Sequence, residues 1–327
     1  MTRGPLRLFA LTESRGLGDA IARALGVPLA AHQEKDFDDG EQRAYPAENV
    51  RGADTFVVQS LYHEPGRTLH DKLCRLWFFL GALKEASAER VTAVVPYLAY
   101  ARADRKTHPR EPVTLRQVAQ LFEAAGVDRM ITLDVHNLAA FQNAFRCRTE
   151  HLEAEKDLVE HFAPRLQGEV VVVSPDVGGL KRAESFRRRL SRHLGTPIGS
   201  ALMEKYRSDE SLSGTALVGE VRGRTALIVD DLISTGDTVA RAARACRAQG
   251  AVAVHAAVTH GLFVAGAAAA IADPALDSLA LTDSVPPFRL PEALARTKLT
   301  TVPIAPLFAE AIRQVHSDGS VSRLLDA

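Results

Sequence analysis

Cysteine is scarce in this sequence: three in 327 residues, at Cys74, Cys147 and Cys246. Their scatter gives no metal-ligand spacing, and the odd count argues against a disulfide framework, so a reducing, cytoplasmic setting is expected. Net charge is missing as well. Forty basic and forty acidic residues cancel, which removes any whole-chain electrostatic case for nucleic acid or an anionic membrane as partner. The run Arg187-Arg188-Arg189 reads as a solvated helix face rather than a binding patch. No apolar stretch is long enough to span a bilayer; the Ala-rich run from Val264 to Ala272 is short and is broken by Asp273. The opening residues Met1–Arg7 lack the apolar core of a signal peptide. Low-complexity segments and long linkers are absent too. What remains is a soluble chain, too long for one small core and long enough for two α/β domains.

What is present is an alternation of strand and helix patterns, as in parallel sheets with crossover helices. In the first half, Thr55–Gln59, Thr92–Val95 and Met130–Leu133 read as strands, with helices over Leu69–Ala86 and Leu115–Ala125. Thr114 with Gln117 has the form of a capping box, and Gly126 of a stop. The second half repeats the scheme with strands Val170–Val173, Ala226–Val229 and Val252–Val258. A boundary is expected near Thr149–Glu153. A last helix, about Pro306 to His316, is a candidate to return to the first domain. Each strand runs into polar or turn residues, where ligands of open α/β sheets bind.

Residues 225–238 carry the strongest local signal. The apolar run Ala226–Val229 ends in Asp230 and Asp231, followed by the turn Ser234-Thr235-Gly236-Asp237-Thr238 and a helix from about Val239 to Ala248. Such a unit aims backbone N–H groups and hydroxyls at a helix N-terminus, where the dipole favours an anion. The carboxylates beside it suit vicinal sugar hydroxyls. An Asp pair capping a buried strand is the plainer alternative. With its Thr-Gly-x-Thr continuation, the segment looks like the ribose-5-phosphate loop of the phosphoribosyltransferase fold.

Four other constellations admit chemistry, each with a structural alternative. Ser174-Pro-Asp176-Val-Gly178-Gly179 is a strand end running into glycines that let backbone approach a pyrophosphate, or an ordinary βα turn. His136 stands beyond a strand, as a ligand or a capping residue. Lys205 and Arg207 begin a polar segment, Lys205 to Gly214, without apolar periodicity, which alone reads as a surface loop. Phe37, Asp39 and Glu41 lie on a turn-rich segment where an aromatic can stack on a base, or where an acidic turn is simply exposed. Arg102, with Asp104 nearby, follows the Pro96 strand end as a cation fitted to phosphates.

Taken in order, these motifs resemble the ribose-phosphate pyrophosphokinases (phosphoribosyl pyrophosphate synthetases) over almost the whole chain. The resemblance rests on Phe37–Glu41, Asn49–Gly52, Arg90–Tyr97, Tyr100–Lys106 and Asp134–His136, then on Ser174–Gly179 with Arg182-Ala183, Lys205–Arg207, Asp230–Thr238, Thr259–Gly261, Ala309–Arg313 and Ser320–Ser322. It implies two tandem phosphoribosyltransferase-like domains, each a mainly parallel sheet flanked by helices. Residues 1–150 would form the ATP side, 151–304 the ribose 5-phosphate side, and 305–327 a C-terminal helix packing back on the first domain. The implied reaction moves the β,γ-pyrophosphoryl group of ATP to ribose 5-phosphate and releases AMP.

The resemblance also implies roles. Lys205 and Arg207 would be catalytic, closing over the phosphates; Phe37, Asp39, Glu41, Arg102 and Asp104 would bind ATP. Asp230, Asp231, Ser234, Thr235, Gly236, Asp237 and Thr238 would bind ribose 5-phosphate, and Asp176, Gly178 and Gly179 would form the pyrophosphate loop. Mg²⁺ would be held by His136 and Asp176, and the chain would assemble as a homo-oligomer, dimer or hexamer. Ala103, Ser234, Asp237, the segment Asn137–Phe145 and Val264 depart from the common pattern. A phosphoribosyltransferase, a non-catalytic regulatory homologue, or a pyrophosphokinase of altered sugar or nucleotide choice are the alternatives.

Overall fold

The computed structural model describes residues 4–207 and 213–326. Two compact units form: residues 1–153 together with 304–327, and residues 154–303. Each is described by itself.

The first unit runs β1 (Leu6–Ala10), α1 (Arg15–Leu25), β2 (His32–Asp36), β3 (Gln42–Pro46), β4 (Asp54–Val58), α2 (Leu69–Glu85), β5 (Arg90–Val95), α3 (Thr114–Ala124), β6 (Arg129–Leu133), α4 (Leu138–Ala144) and β7 (Arg148–Leu152). Its main sheet has the order β1-β4-β5-β6-β7 and is parallel throughout. The inner strands are mostly apolar because both faces are covered; β4 is buried at every position, while the edge strand β7 is polar except for Leu152. Phe9, Phe79 and Phe122 are fully buried between sheet and helices, each worth roughly 1.5–3 kcal/mol of burial. Strands β2 and β3 stand apart as a two-stranded antiparallel ribbon.

The second unit runs α5 (Glu155–Phe162), β8 (Val170–Ser174), α6 (Leu180–Leu194), β9 (Gly199–Arg207), β10 (Ser213–Val218), β11 (Thr225–Ile233), α7 (Asp237–Ala248), β12 (Ala253–Gly261), α8 (Ala267–Ala272), β13 (Ser278–Thr282), α9 (Glu292–Lys298) and β14 (Leu299–Val302). Its sheet has the order β10-β9-β8-β11-β12-β13-β14, parallel except for the β9–β10 hairpin. The chain then continues into α10 (Ala305–His316) and α11 (Arg323–Asp326). Helix α10 lies against the first unit: Arg313 donates to the Ala24 carbonyl at 3.2 Å, and His316 Nδ1 sits 2.7 Å from Asp54 Oδ2.

Three local expectations are corrected. Thr114 makes no capping box, because it is already the first residue of α3 and Val113 holds the cap position without a side-chain bond. The Leu115 N–H in that first turn donates instead to the Ala103 carbonyl at 3.2 Å. A capping box does form at Thr68 and Asp71, at the start of α2. The arginine run on α6 is solvated only at Arg188; Arg187 pairs with Glu184 at 2.7 Å, and Arg189 with Glu155 at 2.8 Å. Finally, Lys205 and Arg207 are not in a loop: their backbone belongs to β9, opposite Thr215 and Ser213 of β10.

Candidate functional site

In the second unit, β8 passes the chain to β9 on one side of the sheet, while β11 to β14 extend on the other. The β8/β11 boundary is therefore a switch point, the place beyond the strand ends where open α/β sheets bind ligands. Pairing of β8 with β11 stops at Val173↔Ile228, whereas β11 stays paired to β12 as far as Ile233. Asp230 and Asp231 consequently lie within the strand rather than past its end, which corrects the expected boundary at Val229. The β11–β12 pairing holds Asp230 directly, opposite Val258, and Asp231 between the paired residues Asp230 and Leu232.

Three groups meet at this boundary. The turn after β8 folds on itself: Ser174 Oγ donates to the Asp176 carbonyl at 2.7 Å, and the Gly179 N–H donates to Asp176 Oδ1 at 2.9 Å. The two glycines keep this turn close without taking left-handed dihedrals. A Cβ on Gly178 would stand 3.2 Å from Asp176 Oδ1, and one on Gly179 3.1 Å from Ser174 Oγ. Arg182, on the first turn of α6, spans the carboxylate pair with Nη1 3.3 Å from Asp230 Oδ1 and Nη2 3.4 Å from Asp231 Oδ2. Burial first, and then the neighbouring Asp231 carboxylate, push the Asp230 carboxyl well above the usual carboxylate range; Arg182 offsets this only in part.

The turn into α7 follows. Gly236 takes φ +83°, the left-handed region, and a Cβ there would meet Ala270 Cβ at 2.7 Å. Ser234 is tied by its carbonyl, which accepts from the Val264 N–H at 3.0 Å. Asp237 occupies the first turn of α7, and Thr235 Oγ1 donates to its Oδ2 at 2.8 Å. Thr238 lies on the same first turn. The helix N-terminus thus presents donors to an anion, with one carboxylate already competing for them.

In the first unit, Phe37, Asp39 and Glu41 occupy the turn between β2 and β3. The Phe37 N–H donates to the Glu41 carbonyl at 2.9 Å, the Gly40 N–H to the Phe37 carbonyl at 3.0 Å, and Asp39 Oδ1 accepts from the Glu41 N–H at 3.1 Å. The Phe37 ring is 36% exposed, with Lys35 Nζ 4.8 Å and Arg43 Cζ 5.8 Å from its centroid. Arg102 is exposed on the loop after β5. Asp104, on that loop, accepts from Asn137 Nδ2 at 2.7 Å and so links it to the loop after β6, which carries the exposed His136. No described hydrogen bond, ion pair or ring contact joins the ribbon turn to Arg102 or Asp104. Their common support is the start of α2, where Asp71 accepts from Gln42 Nε2 at 2.9 Å and His70 Nε2 lies 2.6 Å from Tyr100 Oη.

His136 belongs to the first unit and Asp176 to the second. Among the described residues, no three potential metal-binding side chains gather. The side chains of Lys205 and Arg207, on which the catalytic expectation rests, lie outside the described part. Sequence reasoning gave no role to Arg182, Lys35 or Arg43. A cation three residues past the last glycine of a βα turn, and cations two before and six after an aromatic on a ribbon, are the signals that were available.

The class defined so far is an α/β protein of two mainly parallel sheets, the second with a strand-order reversal beside a carboxylate pair. Comparison with known proteins narrows it. Residues 6–126 match the N-terminal domain of ribose phosphate pyrophosphokinase, and residues 197–326 the phosphoribosyl synthetase-associated domain. The ribose-phosphate pyrophosphokinase of Hyphomonas neptunium is 38% identical, over 98% of this chain and 100% of its own length. Ribose-phosphate pyrophosphokinase 1 of Streptococcus pyogenes is 36% identical, over 100% and 99%. The crystal structure of phosphoribosylpyrophosphate synthetase from Mycobacterium smegmatis superposes with a TM-score of 0.85 at 36% identity, covering 96% of this chain and 100% of that one. The chain belongs to the ribose-phosphate pyrophosphokinase family, and its fold is that family's pair of phosphoribosyltransferase-like units. Among the described residues, no helix is long and apolar enough to cross a membrane.

Proposed function

We propose that this chain transfers the β,γ-pyrophosphoryl group of ATP to the 1-hydroxyl of ribose 5-phosphate, giving phosphoribosyl pyrophosphate and AMP for nucleotide biosynthesis. The observation that carries the reading is the β8/β11 switch point, with the Asp176 turn on one side and the Asp230–Asp231 pair on the other. Full-length similarity to named pyrophosphokinases supports it.

In this reading Asp230 and Asp231 accept hydrogen bonds from the vicinal ribose hydroxyls. The donors of Ser234, Thr235, Gly236 and Thr238, with the α7 N-terminus, hold the 5-phosphate. The sugar's 1-hydroxyl oxygen then bonds to the β-phosphorus of ATP, the bond from that phosphorus to the α,β-bridging oxygen breaks, and AMP leaves with the electron pair. The hydroxyl proton passes to solvent or a nearby base. Gly178 and Gly179 admit the transferred pyrophosphate close to the backbone, and Lys205 and Arg207 supply positive charge where the phosphoryl oxygens gain negative charge. Phe37, Asp39, Glu41, Arg102 and Asp104 bind the nucleotide, the ring by stacking and the carboxylates through the base amino group or ribose hydroxyls.

Mg²⁺ is the cofactor this chemistry calls for, and the donor set fits it at Asp176. One oxygen of that exposed carboxylate is held by Gly179, and the other receives no hydrogen bond from any described residue. A carboxylate oxygen suits a hard cation that keeps several waters. His136 is retained as a second donor, to the metal or to the triphosphate, on the resemblance alone. When bound, the ion would neutralise polyphosphate charge. Three free thiols accord with a cytoplasmic setting, and a homo-oligomer, dimer or hexamer, completes the reading.

The test is incubation with ATP, Mg²⁺ and ribose 5-phosphate. AMP as the nucleotide product supports attack at the β-phosphorus; ADP would make the protein a simple kinase, and no turnover a regulatory homologue.

A further inference from the structure

Arg75 is a cation in the middle of an apolar helix segment, Leu73-Cys-Arg-Leu-Trp77, and it is only 2% exposed. All three of its guanidinium nitrogens are engaged. Nε donates to Gln42 Oε1 at 2.7 Å, Nη1 donates to Glu34 Oε2 at 2.7 Å and lies 3.4 Å from Glu13 Oε1, and Nη2 donates to Asp36. Glu34 and Asp36 are on β2, and Gln42 is on β3. Asp36 and Gln42 are register partners, the last pair before the Phe37–Glu41 turn. One buried, planar fork thus grips both stems of that turn at their tip.

Other bonds reinforce the grip from the same helix start. Arg67 also pairs with Asp36, and Gln42 Nε2 donates to the Asp71 carbonyl. Thr12 donates to Glu34 from both its N–H and its hydroxyl, at 2.8 and 2.9 Å. The ribbon itself has little apolar surface to fix it; β2 is His-Gln-Glu-Lys-Asp. Its placement against α2 combines a small aromatic and apolar contact, the His32 ring edge-on to Phe79 and the buried Ala44, with charged bonds that converge on Arg75.

We infer that Arg75 is a positioning residue for nucleotide binding, setting the pose of the Phe37–Glu41 turn through Asp36 and Gln42. The inference rests on the proposed role of that turn in holding ATP. A lysine at this place keeps the charge but is a point donor, unable to reach both stems in one plane.

The experiment compares Arg75→Lys, Gln42→Leu and Phe37→Ala with the unmodified protein, measuring kcat and the KM of each substrate together with thermal stability. Arg75→Lys should raise KM for ATP about fivefold or more, with KM for ribose 5-phosphate changed by less than about twofold. Gln42→Leu, which removes a single tether, should act in the same direction to a lesser degree. In the Phe37→Ala background, the effect of Arg75→Lys should shrink, because the group it positions is gone. General loss of folded protein would lower kcat and leave both KM values in place, and that pattern overturns the inference. So does full additivity with Phe37→Ala. If Phe37→Ala leaves KM for ATP untouched in an active enzyme, the nucleotide role of the turn falls first. An unmodified protein that makes no AMP overturns the function itself.

Discussion

The candidate groups of the second unit grow out of its main sheet, whereas the best-defined ones of the first hang beside theirs. Asp230 and Asp231 lie within β11, Asp230 paired to Val258 of β12, and the Asp176 turn is the direct continuation of β8, at the place where strand order reverses. In the first unit the chain after α1 bridges one edge of β1 through Leu8↔Leu29, while β4 to β7 extend from the other edge, so strand order reverses there too, but the ribbon that carries the turn is not part of that sheet. Phe37, Asp39 and Glu41 sit on a separate ribbon held by buried charge. A group that must meet reacting atoms benefits from sheet-like rigidity. A group that recognises a base tolerates an appended support. On the proposed function, chemistry would fall to the second unit and nucleotide recognition to the first.

The largest expected effects test that division. Lys205→Ala should lower kcat by two or more orders of magnitude, about 2.7–4 kcal/mol, as for loss of one preorganised charge, with KM for ATP little changed. Phe37→Ala should instead raise KM for ATP by roughly tenfold, on the order of 1.4 kcal/mol, and spare most of kcat. Steady-state kinetics on both variants decide it. Should Phe37→Ala cut kcat as deeply as Lys205→Ala, chemistry and recognition are not divided in this way.

Acid should act on the two units with opposite sign. Burial tends to raise the Glu34 carboxyl, but hydrogen bonds from His32, Arg75 and Thr12 outweigh it and hold the group at about 2. A depressed carboxyl contributes stability above its unfolded pKa of 4.5, and that contribution is lost as pH falls through about 2. Glu34→Gln should therefore cost on the order of 3 kcal/mol at neutral pH and progressively less below pH 4. Asp230 is the reverse case. Its folded carboxyl is raised, so the folded state holds a proton the unfolded chain has released, and stability falls as pH rises from the ordinary carboxylate range towards the raised value. Asp230→Asn should make the protein more stable at pH 8, by on the order of 1 kcal/mol, while raising KM for ribose 5-phosphate or abolishing turnover. Urea unfolding at pH 3, 5 and 8 reads both signs. A destabilised Asp230→Asn at pH 8 would show that Arg182 needs both carboxylates more than they repel each other.

The same contrast governs how much was legible in the sequence. Strands β4, β5, β6, β8 and β12 are apolar runs and were recognisable as such, as were helices α2, α7 and α10. The β2–β3 ribbon was not. β2 is polar throughout and β3 offers only Ala44 to the core, because Arg75 and its carboxylates take the place of most of an apolar alternation. Arg75 reads in sequence as one more charge on a helix, and only the fold shows it to be buried. At the β8/β11 switch point the Asp pair and the glycines were readable as residues. That β11 runs on through the pair was not, since carboxylates look like a strand's end. The β9–β10 hairpin escaped for a related reason: antiparallel backbone pairing at a sheet edge needs no apolar period, so Lys205 looked like part of a loop.

The smallest effect concerns Asp237, where both units' strategies meet in one residue. It sits on the sheet-built side, in the first turn of α7, yet its charge would oppose the phosphate that the proposed function places at this turn. Thr235 Oγ1 already donates to this carboxylate, so a phosphate arriving there must take over that hydroxyl and tolerate the negative charge. An acidic group at a helix N-terminus is itself stabilising by about 0.3–1 kcal/mol. Asp237→Asn should thus trade stability for affinity. KM for ribose 5-phosphate should fall by about two- to fivefold, with thermal stability slightly lower, and the gain should fade at high salt as the charge is screened. A KM that rises instead would mean that Asp237 serves the sugar directly, as an acceptor or through the cation, and that the turn binds its ligand with this carboxylate rather than in spite of it.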